Sequence, residues 1–283
     1  MPLSPRAMPA LVSPFDEDGE IDLDAHAHNV AFLSDVGIEG FVLGGSNGEG
    51  PYLDPGERQK LLRAAREVAS DGYLMLGIMA ETVRNGLRQL EEAEGADSVL
   101  VLTPTTMARN RSPYVLNYFR RIADASPLPV YLYSVPPNTA YSMPVELVAE
   151  LADHPNVVGM KDSSGDVVRL QAIVDATPDD FVLYSGASAA ATAALTVGCH
   201  GVITGSINYA PRLVLDVVEK APNRHLQSRL TALSATVERH GVPGVKAAAA
   251  AAGLRPGLPR LPLEPAGDEL CGELERLVRE DPT

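Results

Sequence analysis

The chain has 283 residues, 45% of them hydrophobic, and a formal net charge of −14. That is enough apolar material for one large α/β domain or two small ones, and too much acidity to favour a phosphate backbone, so no nucleic-acid partner is expected. Two cysteines, Cys199 and Cys271, build no disulfide framework, and the longest alanine run, Ala247 to Ala252, is far too short to cross a bilayer. The first residues, Met1 to Arg6, carry no apolar signal-peptide core. A cytoplasmic protein with no membrane partner is the expectation.

Short apolar runs recur along the chain, each followed by a helical pattern. Ala7 to Val12 is the first, and Asp22 to Val36 reads as a helix ended by Gly37. Gly40 to Gly44 is the second strand. Asp54-Pro55-Gly56-Glu57 then offers an N-cap Asp, a Pro at the first helical position and a Glu at the third. Leu74 to Met79 is strand three, with its helix over Thr82 to Glu94; Ser98 to Leu102 is strand four, with Ser112-Pro113 opening a helix to Ala125. Pro129 to Tyr133 is strand five, and Pro144 opens the next helix. Val157 to Met160 is strand six, and Ser163 with Asp166 three residues on reads as a capping box. Phe181 to Tyr184 is strand seven, with a helix over Ala187 to Val197, and Gly201 to Thr204 is strand eight.

Eight strands alternating with helices predict parallel βαβ units, and the count favours a closed (β/α)8 TIM barrel over an open sheet. A flavodoxin-like or Rossmann sheet would need a phosphate-binding fingerprint. The glycine-rich stretch Gly44 to Gly50 matches neither that nor a Walker A loop, so no nucleotide cofactor is expected. Residues 1–210 are read as the barrel and residues 211–283 as a C-terminal helical extension, with segments at Pro211 to Lys220, Asn223 to Arg239, Val245 to Ala252 and Asp268 to Arg279.

Active sites of such barrels lie at the carboxyl ends of the strands. Strand six delivers Lys161 there. A lysine with its stem among apolar residues loses hydration, which lowers its pKa and frees an amine to form a Schiff base with a carbonyl. Strand two delivers Gly45-Ser46-Asn47-Gly48-Glu49, a small-residue loop whose fixed donors suit a carboxylate. Strand five delivers Tyr133, able to move protons. Each has a plainer reading alone: a surface lysine, a tight turn, a packed aromatic. Together they suit a small-molecule 2-oxo acid such as pyruvate. The protonated imine is then the electron sink, so neither metal nor cofactor is called for. His26 and His28 sit two apart and face different ways on a helix, and the histidines show no zinc spacing. Gly186-Ala187-Ser188-Ala189 is only loosely a nucleophile elbow and reads as a turn into a helix. Cys199 reads as core.

Three segments, Gly45 to Glu49, Tyr131 to Pro136 and Gly159 to Ser163, resemble the signatures of the dihydrodipicolinate synthase/N-acetylneuraminate lyase family. The resemblance runs from about Ala7 to about Gly267. It implies a (β/α)8 barrel with a C-terminal helical extension, assembly as a homo-oligomer (tetramer or dimer), and metal-independent class I aldolase chemistry on pyruvate. By the resemblance Lys161 forms the imine and Tyr133 shuttles protons. Ser46 and Asn47 hold the pyruvate carboxylate and relay protons, and Ile203 offers a backbone contact.

The Gly-Ser-Asn-Gly-Glu loop, the run Tyr133 to Thr139 and the run His154 to Ser163 resemble the 4-hydroxy-2-oxoglutarate aldolase branch, so cleavage to pyruvate and glyoxylate is the leading expectation. A 4-hydroxy-tetrahydrodipicolinate (dihydrodipicolinate) synthase or a sugar-acid lyase or dehydratase is the enzymatic alternative. A 2-oxo acid binding barrel with little turnover is the non-enzymatic one. The synthase branch typically places an arginine where this chain has Asn138. A second departure is Thr105-Thr106 in place of the family's tyrosine pair, one of which reaches a neighbouring subunit. Ser46 with water, or Thr106, is a candidate to replace that tyrosine in the relay. Arg109 and Arg111 are candidates for a second substrate carboxylate, against the commoner fate of solvated loop arginines.

Overall fold

The computed structural model describes residues 4–107 and 111–280. Eight parallel strands stand in the order β1-β8-β7-β6-β5-β4-β3-β2: β1 (Ala7–Pro9), β2 (Gly40–Leu43), β3 (Tyr73–Ile78), β4 (Ser98–Leu102), β5 (Val130–Ser134), β6 (Val157–Asp162), β7 (Val182–Ser185) and β8 (Gly201–Thr204). β1 pairs with β8, Met8 opposite Ile203. The gap between β1 and β2 is spanned by one bridge, Ala10 to Val42, and by Leu11 N–H donating to Val42 O at 3.0 Å. The sheet therefore curls into a nearly closed (β/α)8 barrel, as the strand count predicts.

Strands buried on both faces carry near-continuous apolar sequence, and their period-2 alternation sorts side chains between two cores. Along β4, Val99 and Val101 pack outward against helices while Leu100 and Leu102 fill the interior. Along β3, Leu74, Leu76 and Ile78 face out and Met75 faces in.

The helical ring comprises α1 (Leu23–Val36), α2 (Glu57–Val68), α3 (Val83–Glu91), α4 (Ser112–Ala125), a short α5 (Pro136–Thr139), α6 (Val145–Ala152), α7 (Val167–Ala176), α8 (Ala191–Thr196) and α9 (Pro211–Glu219). Asp22 caps α1 by accepting from Ala25 N–H, and Gly37, at φ 108°, ends it. Two expected caps differ. α2 starts at Glu57 with Gly56 at the cap, because Gly56 adopts φ 87° and interrupts helical backbone; Glu57 Oε2 instead accepts from Asp54 N–H at 2.6 Å. α7 is capped by Asp166, which accepts from Arg169 N–H, and not by Ser163. There β6 runs on to Asp162 and Gly165 turns at φ 71°, so Ser163 still belongs to the strand end. The helix expected over Ala187 to Val197 begins as a 3-10 turn at Ser188–Ala190.

α9 packs between α8 and α1, so Pro211–Glu219, expected in the extension, takes the place of the eighth outer helix. Three helices follow: α10 (Arg224–Glu238), α11 (Gly241–Ala251) and α12 (Asp268–Glu280). α10 lies on the Ser188–Ala190 turn after β7, and α11 on the turn Gly205–Asn208 after β8. No helix of the described residues is long and apolar enough to cross a membrane.

His26 on α1 is fully buried, and burial pulls its pKa from 6.5 down to about 4. The folded imidazole is neutral, whereas the unfolded chain binds a proton below pH 6.5. Stability is thus full above pH 6.5 and lost as pH falls from 6.5 towards 4, by about 3 kcal/mol at roughly 1.4 kcal/mol per pH unit. Replacing His26 by Leu should flatten the fall in melting temperature between pH 6.5 and 4.5. An unchanged slope would show that His26 does not titrate in this way.

Candidate active site

β5 and β6 are in register, with Tyr133 opposite Lys161. Neighbours in register on parallel strands point to the same side, and Tyr133 points into the barrel interior, so Lys161 does too. Lys161 lies inside β6, which runs to Asp162, rather than in the loop after it, and is 4% exposed. Gly159 makes this packing possible. A Cβ there would collide with Val182 O and the Tyr131 ring, and β5 shifts register at this level. Gly186, after β7, does the same for the amine, since its Cβ would strike Ser163 and come within 2.9 Å of Lys161 Cε.

Lys161 Nζ donates to Tyr133 Oη at 3.4 Å and lies 4.5 Å from the centre of the tyrosine ring. Tyr133 Oη is 3.1 Å from Ser46 Oγ. The amine, phenol and alcohol therefore form one line across the mouth. Asn47 enters it beside Gly205, whose Cβ would press within 2.6 Å of the Asn47 amide nitrogen. The cleft that these residues line holds about 180 Å³, and Asn138, Ser163, Glu238 and Val245 complete its wall. A larger cavity of about 460 Å³ lies outside the barrel between α1, α9, α11 and α12 and contains none of the expected residues.

The Ser46 loop is held from behind. Gly44 turns at φ 61° and Glu49 at φ 53°, which folds Gly50 onto Gly44 O. The Glu49 carboxylate points away from the cleft into the protein. Its Oε1 is 2.6 Å from Lys246 Nζ on α11, and its Oε2 accepts from Arg260 N–H at 2.7 Å. Lys246 also donates to Leu258 O at 2.5 Å. Burial pulls the Lys246 pKa from 10.5 down to about 8, against the opposing attraction of Glu49.

Of the remaining expected residues, Ile203 is fully buried in the barrel interior, and its neighbour Gly205 borders the cleft. Thr106 donates its hydroxyl to Glu81 at 2.7 Å, Thr105 is bonded to the same carboxylate, and neither borders the cleft. Arg111 is exposed at the start of α4, and Arg109 lies outside the described residues. Glu238 was not anticipated. It ends a helix far along the chain and carries no local motif, so only the packing of α10 on the barrel mouth brings it in.

The model of the dihydrodipicolinate synthetase family matches residues 4–281. The chain belongs to this family. A 4-hydroxy-tetrahydrodipicolinate synthase of Methanosarcina mazei is 32% identical over 96% of this chain and 97% of that protein. An uncharacterized DapA-like lyase of Halobacterium salinarum is 34% identical over 95% and 91%. Among solved structures, the dihydrodipicolinate synthase DapA-2 of Bacillus anthracis superposes with a TM-score of 0.92 at 27% identity, covering 99% of this chain and all of that one. As a member of the dihydrodipicolinate synthetase family, the chain is a pyruvate-dependent carbon–carbon lyase of the class I aldolase type.

Breaking the buried Glu49–Lys246 pair strands one charge. Replacing Lys246 by Met should cost about 3 kcal/mol in urea unfolding, whereas adding Glu49→Gln to that variant should restore part of the loss. A single variant as stable as the parent would mean that the pair does not brace the loop.

Proposed function

We propose that Lys161 forms a Schiff base with the 2-oxo group of pyruvate, or of a 2-oxo acid that yields pyruvate, and that the site makes or breaks the bond between the carbons α and β to that carbonyl. The observation that supports this is the line Lys161 Nζ–Tyr133 Oη–Ser46 Oγ, with steps of 3.4 and 3.1 Å, on a buried strand end. Lys161 attacks the carbonyl carbon and the carbinolamine loses water to give the iminium. In the cleavage direction, a base removes the proton of the 4-hydroxyl, the bond between carbons 3 and 4 breaks, and its electron pair enters the iminium as an enamine. In this reading Tyr133 moves these protons with Ser46, 3.1 Å away, as its partner, and the Ser46–Asn47 turn holds the substrate carboxylate through neutral donors.

The names of the relatives favour a 4-hydroxy-tetrahydrodipicolinate synthase, which condenses, over 4-hydroxy-2-oxoglutarate cleavage. One feature of the cleft points away from a standard synthase: Asn138 borders it where that branch typically places an arginine. Thr105 and Thr106, tied to Glu81, depart from the tyrosine pair of the whole family and do not separate its branches. We read residues 224–280 as a helical extension whose inner ends finish the cleft, and the protein as a cytoplasmic homo-oligomer, tetramer or dimer.

Borohydride reduction in the presence of pyruvate should leave a reduced adduct on the peptide that contains Lys161. Lys161→Ala should abolish it and lower turnover by about a thousandfold or more, while Tyr133→Phe should lower turnover about a hundredfold and keep the adduct. An adduct on another lysine, or none in the parent protein, would sink this reading.

A further inference from the structure

Glu238 is the last residue of α10 and reaches the barrel mouth from outside the (β/α)8 repeat. It borders the same cleft as Lys161 and Asn138, with its side chain accessible. It is also anchored. Ser188 and Tyr209 donate their hydroxyls to Oε1 at 2.8 and 3.3 Å. Ser188 Oγ is 3.0 Å from Ser206 Oγ, which is 2.9 Å from Thr204 Oγ1 at the end of β8. All four of those partners are buried. Burial pushes the Glu238 carboxyl up, opposed first by the hydrogen bonds from Ser188 and Tyr209 and then by the charge of Lys161.

The charges around the cleft decide what the carboxyl does. Among the described residues that line it, Lys161 is the sole cation and no arginine is present. In the Schiff-base reading its nitrogen is committed to the 2-oxo carbon, and the adjoining carboxylate is met by the Ser46–Asn47 turn. The rest of the substrate must extend towards Asn138 and Glu238. The iminium charge on Lys161 lies beside the first carboxylate, so a second carboxylate extending towards Glu238 would meet that carboxyl with no further cation to offset it, and like charges sharing a site disfavour each other. A chain of hydroxyl groups would instead find an acceptor in the carboxyl and a neutral partner in the Asn138 amide.

We infer that Glu238 determines specificity for the far half of the substrate, selecting an uncharged, hydroxyl-bearing chain and rejecting a second carboxylate. The substrate class is a 4-hydroxy-2-oxo acid with a polyhydroxylated tail. This inference rests on the Schiff-base reading above.

The test compares kcat/KM for pyruvate release from 2-oxo-3-deoxygluconate and its 4-epimer with that from 4-hydroxy-2-oxoglutarate. The parent protein should prefer one of the sugar acids by about a hundredfold, and Glu238→Gln should cut that ratio about tenfold or more, mainly through KM on the sugar acid. Ser188→Ala, which releases the carboxyl without deleting it, should reduce the ratio in the same direction and serves if Glu238→Gln does not fold. Borohydride trapping with pyruvate alone, which has no far half, separates the two readings. No adduct in the parent brings down the Schiff-base reading and this one with it. An adduct accompanied by preference for the dicarboxylate, by no release from any of the three, or by a ratio that neither variant moves overturns the role of Glu238 alone.

Discussion

The site depends on the register of two adjacent strands. Pairing of Tyr133 with Lys161 sets a phenol and an amine side by side on the inner face of the barrel, and a slip of β6 by one residue would turn Lys161 outward and leave Tyr133 alone. That register is held by packing rather than by the reacting groups. Met160, between the inward positions, fills the outer core, and Asp162 locks the strand end to α7 through Arg169 Nε at 3.0 Å. Gly159 and Gly186 then clear the volume that the tyrosine rings and the lysine stem occupy.

The second support comes from the C-terminal helices. Lys246 on α11 meets Glu49 behind the Ser46 loop, and Arg260 grips Glu57 through two bonds while its backbone N–H bonds Glu49. A small-residue loop has no side-chain mass with which to hold its own shape, so its donors are kept in place by charges buried beneath it. Glu238 shows the complementary use of the same helices, which contribute a wall of the cleft as well as its foundation.

Membership of the dihydrodipicolinate synthetase family and the departures from its pattern fit together. The segments around Ser46, Tyr133 and Lys161 resemble the family's signatures. Asn138, Thr105 and Thr106 are where this chain departs from the family pattern, and the two threonines lie on the loop after β4. A barrel whose strands carry the chemistry and whose loops carry specificity accommodates such departures.

The sequence by itself determined the eight strands, because parallel strands buried on both sides must be continuously apolar and their spacing is set by the intervening helices. It also picked out Lys161, Tyr133 and Ser46 as a set, since each sits at or just past the carboxyl end of a strand and those ends open on one face. At two helix starts a left-handed glycine, Gly56 or Gly165, overrides the nearby capping pattern, and handedness is not written in residue type alone. The tertiary structure alone decided that Glu49 looks inward to Lys246, that the two threonines turn to Glu81, and that Glu238 borders the same cleft as Lys161. Those partners lie tens to hundreds of residues apart, and only the closure of the barrel and the docking of its last helices bring them within reach.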